Sequence, residues 1–177
     1  YDLAGERIFS APTGTLTWQD EGGVFRHESA AGIMYYTSEG QPFRQTPWAA
    51  GTNFSVGQAA VQEEAGGPIT IINTLGETLS IRDCGGGDLA GLSFMWGYVR
   101  LARDGRGYLF NTGDGSLFGG EYLDVGEFTG NYAAVRTEDG WGYVDNHLQL
   151  VVDCQFQKAG PFLMPNNQAV VQWADGT

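Results

Sequence analysis

The stretch "EDGWGYVD" (138–145) repeats a skeleton already written thirty-five residues earlier as "RDGRGYLF" (103–110). An acid, a glycine, a second glycine, a tyrosine and an apolar residue recur at a separation typical of stacked structural units. Asp-Gly flanked by alternating residues is a hairpin signal, because the tight turn needs positive φ, which glycine adopts cheaply. Around it the period is two. Ala133 and Val135 point one way, and Tyr132, Ala134 and Arg136 the other, as in a half-buried strand.

Working outward, three landmarks recur in fixed order. Ala/Val-Gly followed by an aromatic appears as "AGERIF" (4–9), "AGTNF" (50–54), "AGLSF" (90–94), "VGEF" (125–128) and "AGPF" (159–162). The anchors are Phe9, Phe54, Phe94, Phe128 and Phe162, and Leu16, Val61, Leu101 and Val135 stand seven residues after the first four. A turn then follows as "DEG" (20–22), "EEAGG" (63–67), "RDG" (103–105), "EDG" (138–140) and "ADG" (174–176). Next come returning strands that superimpose without gaps: 32–38, 68–74, 105–111 and 140–146. They place Tyr35, Ile71, Tyr108 and Tyr143 in one column, and Tyr36, Ile72, Leu109 and Val144 in the next. Brief apolar runs such as "TLSI" (78–81) and "LQLVV" (148–152) read as a third strand. The first unit carries an additional stretch, "GVFRHESAA" (23–31).

These patterns predict an all-β domain of tandem three-stranded antiparallel units over 1–51, 52–91, 92–126, 127–160 and a partial 161–177. Each unit reads as strand, turn, strand, turn, strand, then a loop ending in Ala-Gly. One such hairpin is marginal alone, so neighbouring units must bury each other's faces. The expected arrangement is an elongated, twisted stack. A closed five-bladed propeller is the alternative, disfavoured because the chain begins and ends at different points of the repeat.

Composition agrees. Glycine accounts for 28 of 177 residues, aromatics for 13% and charged residues for only 17%, which suits short strands and tight turns rather than disorder. The net charge is −12 and Lys158 is the single lysine, so no basic stripe exists for nucleic acid or an anionic membrane surface. No apolar run approaches the roughly 20 residues needed to cross a bilayer as a helix, so no membrane insertion is expected and the chain reads as soluble. The chain starts at Tyr1 rather than Met, which suggests a trimmed or processed product.

The segments "GWGYVD" (140–145), "FQKAGPF" (156–162), "YLDVGEF" (122–128) and "YDLAG" (1–5) resemble the bacterial WG, or KWG, repeat. That resemblance covers most of the chain and is strict from about residue 88 onward. Trp-Gly is intact once, at Trp141-Gly142; Arg106, Ile69 and Ile33 hold the tryptophan position elsewhere. The resemblance implies an all-β array in bacteria, often in surface-associated or multidomain proteins, with a binding role and no catalytic residues. In that pattern Gly105, Gly140, Gly142, Trp141, Tyr108, Tyr143, Phe94, Phe128 and Phe162 are structural repeat positions.

Candidate chemistry is sparse. Cys84 and Cys154 both sit in Asp-Cys pairs two units apart, in a linear array farther than the Cα separation of about 4.4–6.8 Å that a disulfide needs, so buried free thiols are expected, with a disulfide as the alternative if the units close into a ring. His27 and His147 match no zinc spacing, and the runs 82–88 and 111–116 lack the ordered acidic ligands of a calcium loop. No metal or cofactor is expected. "GLSFMWG" (91–97) is not a nucleophile elbow, and the pairs Glu63-Glu64 and Glu138-Asp139 lie at turns rather than in a cleft. Trp18 and Trp173 hold one position, two residues before the turn aspartate, in the first and last units. They are read as end caps, or as flat surfaces for a sugar or peptide. The function expected is a non-enzymatic binding or scaffold module for protein or glycan at the cell envelope or outside it, with a cytoplasmic setting as the alternative. A structural spacer and, with less support, a glycan hydrolase are the other readings.

Overall fold

Short strands and tight turns account for all the regular structure in the computed structural model, which describes residues 13–163 and 166–173 together with Arg7 and Ser10; no helix occurs among them. No helix there is long and apolar enough to cross a membrane. The anchor Phe9 and the turn at 174–176 lie outside the described residues. Sheet I comprises β1 (Thr15–Gln19), β2 (Val24–Ser29) and β3 (Gly32–Thr37). Sheet II comprises β4 (Ala50–Gly51), β5 (Gln58–Gln62), β6 (Ile69–Asn73) and β7 (Thr78–Arg82). Sheet III comprises β8 (Asp88–Met95), β9 (Tyr98–Arg103), β10 (Arg106–Asn111) and β11 (Leu117–Phe118). Sheet IV comprises β12 (Asp124–Thr129), β13 (Tyr132–Thr137), β14 (Gly140–Asp145) and β15 (Leu150–Phe156). Sheet V comprises β16 (Lys158–Leu163) and β17 (Gln168–Gln172). Each sheet is an antiparallel meander in chain order.

The fold is thus all-β and repetitive, with one strand more in sheets II, III and IV than the sequence pattern shows. The Ala/Val-Gly-x-Phe segment, expected as a loop, is itself the first strand. It escapes the period-two pattern because it is bulged: the register shifts between Leu89 and Phe94, between Val125 and Phe128, and between Ala159 and Phe162. An extra residue in one strand re-aims the next side chain and hides the alternation.

The first unit also differs from its expected layout. Residues 24–29, expected as an addition to the repeat, form β2, so "DEG" closes the β1–β2 hairpin rather than the next one. Ala30 and Ala31 make the β2–β3 turn, and isolated bridges from Tyr36 to Pro42 and Ile33 to Trp48 supply the fourth edge. Leu16 therefore lies on a first strand, not on the second strand that holds Val61, Leu101 and Val135.

The two look-alike hairpins are built in different phase. In sheet III, Arg103 pairs with Arg106, leaving Asp104 (φ 52°) and Gly105 (φ 75°) as the two turn residues with the positive φ a type I′ turn requires. In sheet IV, Thr137 pairs with Gly140, so Glu138 and Asp139 form the turn and Gly140 opens the strand. A Cβ on Gly140 would stand 2.6 Å from the Phe156 carbonyl oxygen, so only glycine fits there. One residue of slip turns every following side chain to the other face. Tyr108 consequently leaves the expected column, and Leu109 takes the place equivalent to Tyr35, Ile71 and Tyr143. Leu109 packs with Val125, Phe128 and Val135 toward sheet IV, whereas Phe110 packs with Ile71 and Leu101 toward sheet II.

Successive sheets pack face to face. Ala59, Val61 and Ile72 meet sheet I, and Ala60, Ile69 and Ile71 on the same sheet meet sheet III, so β5 and β6 are buried on both faces. Tyr132 and Tyr143 put ring centroids 4.4 and 4.8 Å from that of Phe162, closing sheet IV onto sheet V. Side chains on second and third strands also lock onto backbone at the next sheet. Arg26 donates to Gly51 O at 3.1 and 3.3 Å, Arg100 to Val125 O at 2.8 Å, and Tyr143 to Gly160 O at 2.9 Å. Gln62 donates to Gly87 O at 2.9 Å, and Tyr35 donates to Thr52 O. Substantial packing joins only strands of one sheet or of consecutive sheets, so among the described residues the succession is open. Cys84 and Cys154 are both free.

Burial raises the phenols of Tyr35 and Tyr143 above their ordinary value, and for Tyr35 the nearby Arg26 opposes this only in part. The neutral phenol is the form the fold holds. Its contribution is fully present below the unfolded pKa of about 10 and is lost as pH rises beyond it. In an alkaline titration followed by phenolate absorbance, Tyr35 should ionise last, together with loss of the β circular-dichroism signal. Smooth titration of all eight tyrosines in a chain that stays folded would contradict the packing described.

Candidate functional site

The first strands of sheets II, III and IV run side by side and end in turns at the same edge of the molecule. The residues at or just after their ends, with Glu21 from the β1–β2 turn, line an open cleft of about 400 Å³. Such a volume falls within the range of roughly 300–1,000 Å³ common for small-ligand clefts. Its lining is a repeat pattern seen three times over. Phe54, Phe94 and Phe128, one from each sheet, form the floor and are at most 8% exposed. Asn53, Ser93 and Glu127 hold the position before each phenylalanine, and Ser55, Met95 and Thr129 the position after it.

Polar bonds across the sheets fix this rim. Asn53 N donates to Leu92 O at 2.8 Å, joining sheets II and III. Glu127 reaches back from sheet IV, and its Oε2 accepts from Leu92 N at 2.7 Å and from Ser93 N at 2.8 Å. Those two N–H groups are free because the bulge of β8 has removed them from its own ladder. Glu21 Oε2 accepts from Val56 N at 3.1 Å, tying the sheet I turn to sheet II. Thr129 Oγ1 accepts from Phe162 N at 2.9 Å, and Trp96 Nε1 donates to Gly130 O at 2.9 Å. Ser93 Oγ is shielded from solvent and has no hydrogen-bond partner. Both glutamates are held by one oxygen, Oε2, and neither meets a Lys, Arg or His side chain within 4.0 Å among the described residues.

None of these polar groups was singled out from the sequence. The signal lay in the column one residue before each anchor phenylalanine, where Asn53, Ser93 and Glu127 are all polar. The tryptophans that were singled out lie elsewhere. Trp18 is 45% exposed on edge strand β1, edge-on to Phe25 at 4.9 Å. Trp173 is 44% exposed beyond the end of β17 and packs on Phe156 at 4.8 Å. They occupy opposite ends of the sheet succession and do not share a site. Nor do they hold equivalent positions: Trp18 pairs with Phe25 as Phe94 pairs with Val99 and Phe128 with Ala133. Trp141 pairs with Phe156 under the guanidinium of Arg136, 5.9 Å from its ring centre. Gly142 pairs with Val135 inside sheet IV. His27 is buried against Thr13 O, and no group of three potential metal ligands occurs among the described residues.

No family model and no curated protein matches the chain. Among solved structures, the computationally designed protein Ika8 matches with a TM-score of 0.61 and 20% identity over 99% of this chain. The chain spans 61% of the length of that designed protein. The likeness is one of fold.

Proposed function

We propose that the chain is a non-enzymatic binding or scaffold module whose ligand surface is the groove over Phe54, Phe94 and Phe128. The observation that carries this reading is the construction of one cavity from equivalent positions of three consecutive repeats, with a polar rim held by cross-sheet bonds. A rim fixed before the ligand arrives spares the entropy of ordering it. The resemblance of 122–128, 140–145 and 156–162 to the WG repeat supports a bacterial protein that meets a protein or glycan at the cell surface. Glu21 and Glu127 are the carboxylates a glycan hydrolase would draw on, but one oxygen of each is already bonded to backbone N–H, which favours a holding role. A purely structural spacer is the competing reading.

Panels of glycans and peptides tested against the chain and against Leu92→Trp separate these. Leu92 is exposed on the groove wall, so the tryptophan fills the cavity without entering the core. Saturable binding that Leu92→Trp weakens at least about tenfold is expected. Binding untouched by that change, or none at all, would favour the spacer; turnover of a bound glycan would favour the hydrolase.

A further inference from the structure

The geometry points to a protonated side chain, lysine or arginine displayed on a peptide, as the class of ligand the groove accepts. This rests on the binding-module reading and names its ligand. The floor and rim differ in chemistry. The three phenylalanines are too enclosed to offer a stacking platform for a sugar ring, whereas the exposed Leu92 and the half-buried Met95 give an apolar bed on which an alkyl stem can lie. Above that bed stand two carboxylates from different sheets, each held by its Oε2 on backbone N–H. Their Oε1 atoms make no hydrogen bond or ion pair with described residues. A group with an apolar stem and a cationic head satisfies both halves at once. The rest of the rim fits too: Asn53, Ser55, Ser93 and Thr129 carry oxygen acceptors, and Ser93 Oγ is shielded without a partner. Among the described residues no lysine, arginine or histidine lines the cleft to repel such a head. The net charge of −12 draws cations toward the chain from a distance.

A metal ion fits less well. Two carboxylates with one oxygen each already bonded do not make the six to eight oxygen ligands that calcium takes. An anionic ligand would meet the two carboxylates with no compensating cation.

The test uses the whole chain and two short peptides, acetyl-Gly-Arg-Gly-amide and its citrulline counterpart, which keeps the shape and loses the charge. Binding is followed by amide chemical shifts at Leu92, Ser93 and Gly130. The arginine peptide should bind saturably and about tenfold more tightly than the citrulline peptide, and added salt should weaken it. Glu21→Gln and Glu127→Gln should each weaken it about three- to tenfold, since the amide keeps an oxygen for the backbone bond and removes the charge. Should Glu127→Gln fail to fold, Glu21→Gln and the salt dependence decide, because Glu21 is exposed and touches sheet II at one N–H. Equal binding of the two peptides, or arginine binding indifferent to salt and to both substitutions, would overturn the cationic ligand. If neither peptide binds while a neutral glycan occupies the groove, the cationic class fails and the binding module stands. If nothing binds, both fail.

Discussion

Gln62→Leu should lower the unfolding free energy by roughly 2–4 kcal/mol, a large loss for a single polar side chain. Gln62 ends β5 and is 1% exposed. Its Nε2 donates to Gly67 O at 2.7 Å and to Gly87 O at 2.9 Å, while its Oε1 accepts from Leu89 N at 2.8 Å. One amide therefore satisfies a turn in sheet II, the linker into sheet III and the start of β8. Leucine nearly matches its volume, so the apolar packing survives; the loss comes from Leu89 N–H left without an acceptor and from two carbonyls that keep only the weak S–H of Cys84 between them, 3.2 Å from Gly67 O and 3.3 Å from Gly87 O. Each such group costs about 1–3 kcal/mol, less what relaxation recovers. Gln58→Leu, at the exposed start of the same strand, should change stability by no more than about 0.5 kcal/mol. Urea melts extrapolated to water measure both. A loss below about 1 kcal/mol for Gln62→Leu would mean that water reaches these groups and that sheets II and III are not docked as described.

The phase difference between the two look-alike hairpins gives the second large effect. Tyr143→Ala removes a ring that is 2% exposed, stands edge-on to Phe162 and donates to Gly160 O, and should cost roughly 3–5 kcal/mol. If the repeated sequence alone ruled, Tyr108→Ala would cost as much. The structure assigns that weight to its neighbour. Leu109 is 1% exposed in the layer between sheets III and IV, so Leu109→Ala should cost roughly 2–5 kcal/mol. Tyr108 is half-buried at the other face beside Arg106, and Tyr108→Ala should cost about 1 kcal/mol. Finding Tyr108→Ala as costly as Tyr143→Ala, with Leu109→Ala mild, would place Asp104-Gly105 one residue off its described register.

Particular residues show how far the repeat pattern could be read. Val61, Leu101 and Val135 read as equivalent positions on the strand before each turn because their neighbours alternate cleanly and a turn follows at fixed distance, and all three are buried, on what prove to be second strands. Phe54, Phe94 and Phe128 were marked as recurring anchors and form the cavity floor. The strands that carry these anchors were missed, since bulges at Leu89–Phe94 and Val125–Phe128 break the alternation by which a strand is recognised. β2 was missed for another reason: "DEG" resembles the turns of other units but closes an earlier hairpin. Glu127 was passed over because its role depends on two N–H groups in a different sheet, thirty-four and thirty-five residues back along the chain.

What the order of residues determined was the repeating β unit itself: its period, its turn sites and its apolar columns, all set by local sterics and by which side of a strand each residue faces. Tertiary structure decided the phase of each hairpin. It also chose which polar residues lock one sheet to the next, and it gathered Glu21, Asn53, Ser93 and Glu127 around one cavity. Those outcomes depend on where a neighbouring sheet's carbonyls and N–H groups stand. A Cβ that clashes with a carbonyl, or a buried N–H that needs an acceptor, is a constraint between segments that a local pattern does not contain.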